Sequence, residues 1–232
     1  MERQVEFWTT RTPQPPEVQP LPNLRIHTMS TIELEPPVSD SRAKRLKAHT
    51  HDTHDRLDKS IMGHNPFASR ETYGQFLKVQ YAFHREIDAL YSDPMLDKML
   101  PDLPGRRRFG QIQQDLADLG IAEPVIESAP AFTAGGTVDI PTALGWLYTA
   151  EGSNLGAAFL LKAAATLGLN ETFGARHLAA APEGRGLHWR TFTAALDELP
   201  VDEAGEARVI LGAETAFKRV QSLVDQNYAA GA

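Results

Sequence analysis

From Ser39 onward, apolar residues recur three and four positions apart and nowhere alternate in twos. That spacing commits the chain to helices packed on helices. Leu46, Thr50, His54, Leu57 and Ile61 form one stripe, behind the N-cap candidates Ser39, Asp40 and Ser41, and it ends near Gly63. Phe76, Gln80, Phe83, His84, Ile87 and Tyr91 form a second; Phe109, Ile112, Leu116 and Leu119 form a third, closed by Gly120. Pro124, Pro130, Gly135 and Gly136 predict a loop over 123–139. A helix starts near Pro141, which suits a first helical turn. Trp189, Phe192, Leu196 and Leu199 mark another, and Ile210, Ala213, Phe217, Val220 and Val224 the last. The expectation is one all-α domain over 39–232. Residues 1–38 hold Pro13, Pro15, Pro16, Pro20, Pro22, Pro36 and Pro37 and read as a flexible Pro-rich extension, with Met29 as an alternative start.

The stretch 145–162 carries the sharpest local signal. Its composition is helical, yet Gly152 and Gly156 lie inside it, four apart. Each costs about 1 kcal/mol against alanine in a helix interior. Residues four apart share a face, so two side chains are missing at one spot. Ser153 and Asn154 compete for backbone hydrogen bonds and can loosen the turn. A bent helix baring its backbone would suit a large flat ligand. The alternatives are a close helix–helix crossing or a helix end at Gly152.

Composition removes several function classes. Net charge is −7, with 23 Lys and Arg against 30 Asp and Glu, which disfavours nucleic acid as a partner. There is no cysteine, so thiolate haem, iron–sulfur and cysteine-nucleophile chemistry are excluded. No apolar run is long enough to span a bilayer, and the N-terminus lacks a secretory pattern, so the expected compartment is the cytoplasm.

Metal ligation falls to the 8 histidines. His54 lies on the apolar stripe of the first helix, whereas His49 and His51 lie off it. An inward histidine needs a partner: a plain hydrogen bond, or a metal, with one axial bond to haem iron as the single-ligand solution. No His-Glu-x-x-His pattern is present. Arg42, Lys44, Arg45 and Lys47 crowd the start of the same helix, where cations oppose the helix dipole. Lys47 precedes His54 by two turns, about 10 Å along the axis. That is a workable separation between an iron and a carboxylate at a porphyrin edge; a solvated basic helix end is the alternative.

Longer motifs carry a resemblance. Ala43-Lys-Arg-Leu-Lys-Ala-His-Thr, continuing to His54 and Met62, is similar to the proximal helix of bacterial haem oxygenases. Gly145-Trp-Leu-Tyr-Thr-Ala-Glu-Gly-Ser-Asn-Leu-Gly-Ala-Ala-Phe-Leu resembles their distal helix. Gly174-Ala-Arg-His-Leu-Ala and Gly184-Arg-Gly-Leu-His-Trp-Arg match as well. The likeness is greatest to the haem-iron-acquisition enzymes of Gram-negative bacteria and covers roughly residues 40–228. It implies haem b between a proximal helix and a kinked distal helix. His54 is then the iron ligand. Gly152, Ser153 and Gly156 contact haem on the distal side, and Lys47 and Tyr148 hold its propionates. Gln80, His84, Arg108 and Asn154 support ordered water on the oxygen side.

The implied reaction is oxidative cleavage of haem to biliverdin, carbon monoxide and ferrous iron. Molecular oxygen is the co-substrate, and an external reductase or ferredoxin supplies electrons, since no Gly-x-Gly-x-x-Gly fingerprint is present. The expected product is the α isomer. A subgroup that seats haem rotated uses lysine near the end of the first helix and asparagine nearer its start; here Met62 and Lys47 stand there, and only Lys162 remains of that pattern. A non-catalytic haem-trafficking protein on the same fold is the main alternative, and an all-α enzyme for another flat ligand is a second.

Overall fold

The computed structural model describes residues 41–229; the reading of 1–38 as a flexible extension lies outside the described residues. Seven α-helices make up the described fold, and no strand occurs among these residues. Helix α1, Arg42–Gly63, starts where the Ser41 hydroxyl accepts the Lys44 amide. Helix α2, Arg70–Ile87, opens on a reciprocal capping box between Ser69 and Thr72. Two short segments missing from the sequence reading follow: a 3₁₀ turn over Asp88–Ser92 and α3, Pro94–Met99. A further 3₁₀ turn, Pro104–Arg106, leads to α4, Phe109–Asp118. Gly120, at φ 66°, ends that unit as expected. The long helix α5, Ile140–Ala165, is capped by Asp139, whose carboxylate accepts the Thr142 amide. Helices α6, Arg185–Glu198, and α7, Glu203–Ala229, complete the chain.

Two apolar clusters hold these elements. Leu46 and Leu57 of α1, Leu144 and Leu147 of α5, and Val220, Leu223 and Val224 of α7 share one. Tyr73, Phe76 and Leu77 of α2, Ile112 and Leu116 of α4, and Ala157 and Ala164 of α5 share the other. Helix α5 therefore belongs to both. The 121–139 loop is not loose against this frame. Buried Glu86 accepts the Ala131 amide at 2.6 Å and Arg219 Nε at 3.0 Å, and Phe132 sets its ring edge on Trp146, centroids 5.5 Å apart.

Helix α7 is the common support for α1 and α5. α1 runs along it in step: Arg42 meets Glu206, His54 meets Phe217, Ser60 meets Gln221 and His64 stacks on Tyr228. α5 packs on α7 so closely that the two backbones meet. A Cβ on Gly145 would overlap the Val209 carbonyl, and one on Gly212 would overlap the Thr142 carbonyl. The close helix crossing is thus made by Gly145 and Gly212, not by Gly152 and Gly156.

The cations at the start of α1 also need correction. Arg42 is buried, donates to the Leu196 and Leu199 carbonyls, and pairs with Glu206; Arg45 reaches the same carboxylate at 3.1 Å. Both therefore serve docking, and Arg42 neutralises the negative end of α6. Lys44 and Lys47 remain exposed.

Candidate functional site

The helix runs unbroken through Gly152 and Gly156, so a helix end at Gly152 is ruled out. At Gly152 a Cβ would meet only the Trp189 ring, at 3.6 and 3.8 Å, which is ordinary contact. At Gly156 it would meet nothing within 4 Å. No packing demand of the described protein therefore accounts for either glycine. Leu155 and Phe159 continue the same face and are 41% and 79% exposed. Ser153 is exposed, and its hydroxyl donates back to the Ala150 carbonyl at 2.7 Å. The result is an apolar strip with two patches of bare backbone, directed away from the cores that hold Ala157 and Ala164.

His54 lies on the predicted stripe but not in the core, because its side chain is 51% exposed. Periodicity gives the face, and α7 covers that face only in part: Leu46, Thr50 and Leu57 are buried, while His54 receives just the edge of Phe217, centroids 5.6 Å apart. Its Nδ1 lies 3.3 Å from Asp58 Oδ2. Burial, opposed by His54, raises the Asp58 carboxyl above its usual range. Nε2 has no hydrogen bond among the described residues and is available to a metal. Half-exposed Met62 follows two turns later.

Tyr148 ties the two helices together. It is buried, and its hydroxyl donates to the Ala43 carbonyl at 3.4 Å; burial pushes its pKa up to about 12. Ala43 and Lys47 are one turn apart on α1. Lys47 thus stands one turn beyond the residue that Tyr148 reaches, with His54 further along α1 and Gly152 further along α5.

The buried polar set is brought together only in part. His84 is buried, its Nδ1 has no partner, and its pKa falls to about 3 through burial, with His177 and Arg108 adding to the shift. Arg108 is buried too; Nη1 donates to Gln111 at 3.1 Å and Nε has no partner. Gln80 is half-buried one turn before His84. Asn154 is half-buried and tied through its carbonyl, which accepts Arg185 Nη1 at 2.9 Å. Among the described residues no hydrogen bond joins these four side chains to one another.

Two groups escaped the sequence reading. His177 is buried beside this set; its Nδ1 lies 2.8 Å from Asp115 Oδ2 and its Nε2 has no partner. The Gly174-Ala-Arg-His motif held it in view without a role. The second is Glu151, which is 2% exposed. It accepts Tyr91 Oη at 3.0 Å and Arg106 Nη1 at 3.1 Å, and His188 Nε2 lies 3.5 Å away. The bond to Glu151 raises the His188 pKa against the effect of burial, and the Glu183 bond adds to it. A single carboxylate within the otherwise uncharged run 140–161 was the signal available for Glu151.

The family model described as heme oxygenase matches residues 40–226. The chain is 39% identical to heme oxygenase PigA of Pseudomonas aeruginosa over 201 residues, 87% of this chain and 100% of that protein. Among solved structures, the NO- and CO-bound heme oxygenase of Neisseria meningitidis aligns with a TM-score of 0.76 and 42% identity, over 82% of this chain and 92% of that one. The haem complex of heme oxygenase-1 from the cyanobacterium Synechocystis shares the fold, with a TM-score of 0.60 at 16% identity, over 80% of this chain and 91% of that one.

Proposed function

This chain belongs to the haem oxygenase family, and we propose that it cleaves haem to biliverdin, carbon monoxide and ferrous iron with oxygen and externally supplied electrons. The observation that carries this reading is the bare backbone at Gly152 and Gly156, which no packing contact explains and which a flat ring system would cover. Haem, once bound, supplies the iron that activates oxygen and the porphyrin edge that is oxidised.

His54 would hold the iron through Nε2. Asp58, near Nδ1, favours the tautomer that leaves Nε2 unprotonated. Lys47 and Tyr148 would hold the propionates, and charge-assisted bonds there contribute roughly 1.5–3 kcal/mol each. Gly152 and Gly156 would let the α5 backbone lie against haem, with Ser153 at the margin of that contact. The unpartnered nitrogens of His84, Arg108 and His177 are groups that ordered water satisfies. With Gln80 and Asn154 at the margin, they hold the water that delivers protons. The Lys47 and Tyr148 clamp, with uncharged Met62 at the far end of α1, favours the α isomer. No helix among the described residues is long and apolar enough to cross a membrane; we place the enzyme in the cytoplasm, drawing electrons from a reductase or ferredoxin.

The test is to load the protein with haem and supply reductant in air. Loss of the haem absorption with extractable biliverdin is expected. A haem spectrum that is reduced but never consumed would identify a carrier instead.

A further inference from the structure

Glu151 is buried next to Gly152, accepts hydrogen bonds from two turns remote in sequence, and has a histidine of α6 3.5 Å away. Tyr91 comes from the 88–92 turn, Arg106 from the 104–106 turn, and His188 from α6. Each partner is itself fixed. Arg106 Nε donates to the Pro101 carbonyl at 2.9 Å and Nη2 to the His188 carbonyl at 3.2 Å, and its guanidinium stacks 5.6 Å from the Phe192 centroid. His188 Nδ1 lies 2.7 Å from Glu183 Oε1. The first turns of α6 grip the same segment again, through Arg185 on the Asn154 carbonyl and Trp189 beside Gly152. A buried ion pair is weak evidence for stability, since apolar replacement is often neutral or better. Its distinct effect here is geometric. Successive side chains on a helix lie about 100° apart, so holding Glu151 by bonds from Tyr91 and Arg106, with His188 3.5 Å away, fixes which face of α5 is presented at Gly152.

We propose that Glu151 is a positioning residue: through Tyr91, Arg106 and His188 it sets the rotation of α5 about its axis, and with it the meso carbon of haem that is oxidised. This rests on α5 being the haem-facing helix of a haem oxygenase. Tyr91→Phe removes one bond without changing charge. Glu151→Gln keeps the side-chain size but leaves Arg106 buried without its counter-ion, so it risks misfolding; Tyr91→Phe decides the matter in that case.

Two readouts are taken. In haem-free protein, amide hydrogen exchange over residues 148–158 should quicken about tenfold in Tyr91→Phe, as the loss of one buried hydrogen bond implies, while α2 and α7 exchange as in the wild type. In haem-loaded protein given reductant and air, a second biliverdin isomer should appear. Unchanged exchange, faster exchange spread equally over α2 and α7, or a single unaltered isomer would each overturn the proposal. Failure of the wild type to form any biliverdin would instead overturn the activity. Exchange in the haem-free protein would still decide whether Glu151 pins α5.

Discussion

Replacing Gly152 and Gly156 together with alanine should make the haem-free protein more stable and the enzyme worse. Both positions are interior to α5, where glycine costs about 1 kcal/mol relative to alanine. The added methyls meet the Trp189 ring at ordinary distance and, at Gly156, nothing within 4 Å, so no strain offsets the gain. The double variant should therefore gain about 2 kcal/mol. For a domain of this size that raises Tm by roughly 4–8 °C in a far-ultraviolet dichroism melt. Gly145→Ala, on the same helix, should do the opposite, because its methyl would overlap the Val209 carbonyl; overpacking of that kind costs about 1–3 kcal/mol. With haem bound, methyls pressed against the ring face carry a similar penalty, about 5- to 150-fold in turnover. A lower melting temperature for the haem-free double variant would refute the packing argument. Turnover equal to the wild type would show that haem lies elsewhere.

His54→Ala should lose the axial nitrogen bond, and added imidazole should restore the ferric spectrum; a normal spectrum without imidazole would reassign the ligand. Burial lowers the His84 pKa from an ordinary histidine's 6.5 to about 3. Its contribution to stability is intact above about pH 6.5 and is lost as pH falls towards 3, amounting to about 2 kcal/mol at pH 5. Urea midpoints for His84→Gln should show that much less loss between pH 7 and 5; an identical slope would mean that His84 titrates normally. A chain beginning at Ser39 should bind haem and turn it over at near wild-type rates, since the family match begins at residue 40; weakened haem affinity would assign a role to the first 38 residues. Lys47→Ala with Tyr148→Phe should spread the pigment from mainly α into a mixture, as chromatography would show, and a product that is mainly β or δ in the unaltered protein would mean that Lys162 seats the haem.

The helices were legible in sequence because their stripes and caps are local. Ser41, Pro141 and Gly120 act within one turn of their own positions. The 88–92 turn, α3 and the 104–106 turn were not legible, being too short to show a period. Depth was also hidden. The stripe placed His54 on the right face, but how far α7 reaches is a tertiary fact, and it stops at the edge of Phe217. The same limit applied to the cations. Nothing local separates Arg42, buried against Glu206, from Lys47, exposed to water.

Helix α5 shows why sequence alone picked out the region without sorting its glycines. A helix apolar on every side is ordinarily buried on every side, and residues 140–161 carry one charge. Sequence could not tell which glycine serves packing and which serves a ligand, because both kinds fit the same pattern. Packing separates them: Gly145 admits the α7 backbone, Glu151 locks a turn further on, Gly152 has only the Trp189 ring at ordinary contact distance, and Gly156 has nothing within 4 Å. Beyond that lock, Phe159 is 79% exposed and Leu155 41%. Exposed apolar strips on a compact domain mark binding surfaces. In the proposed function, the partner is flat enough to lie against bare backbone, apolar across its middle, and anionic beside Lys47, one turn from the Ala43 carbonyl that Tyr148 reaches. Those three demands, each from a different set of residues, describe a porphyrin with its carboxylates on one edge.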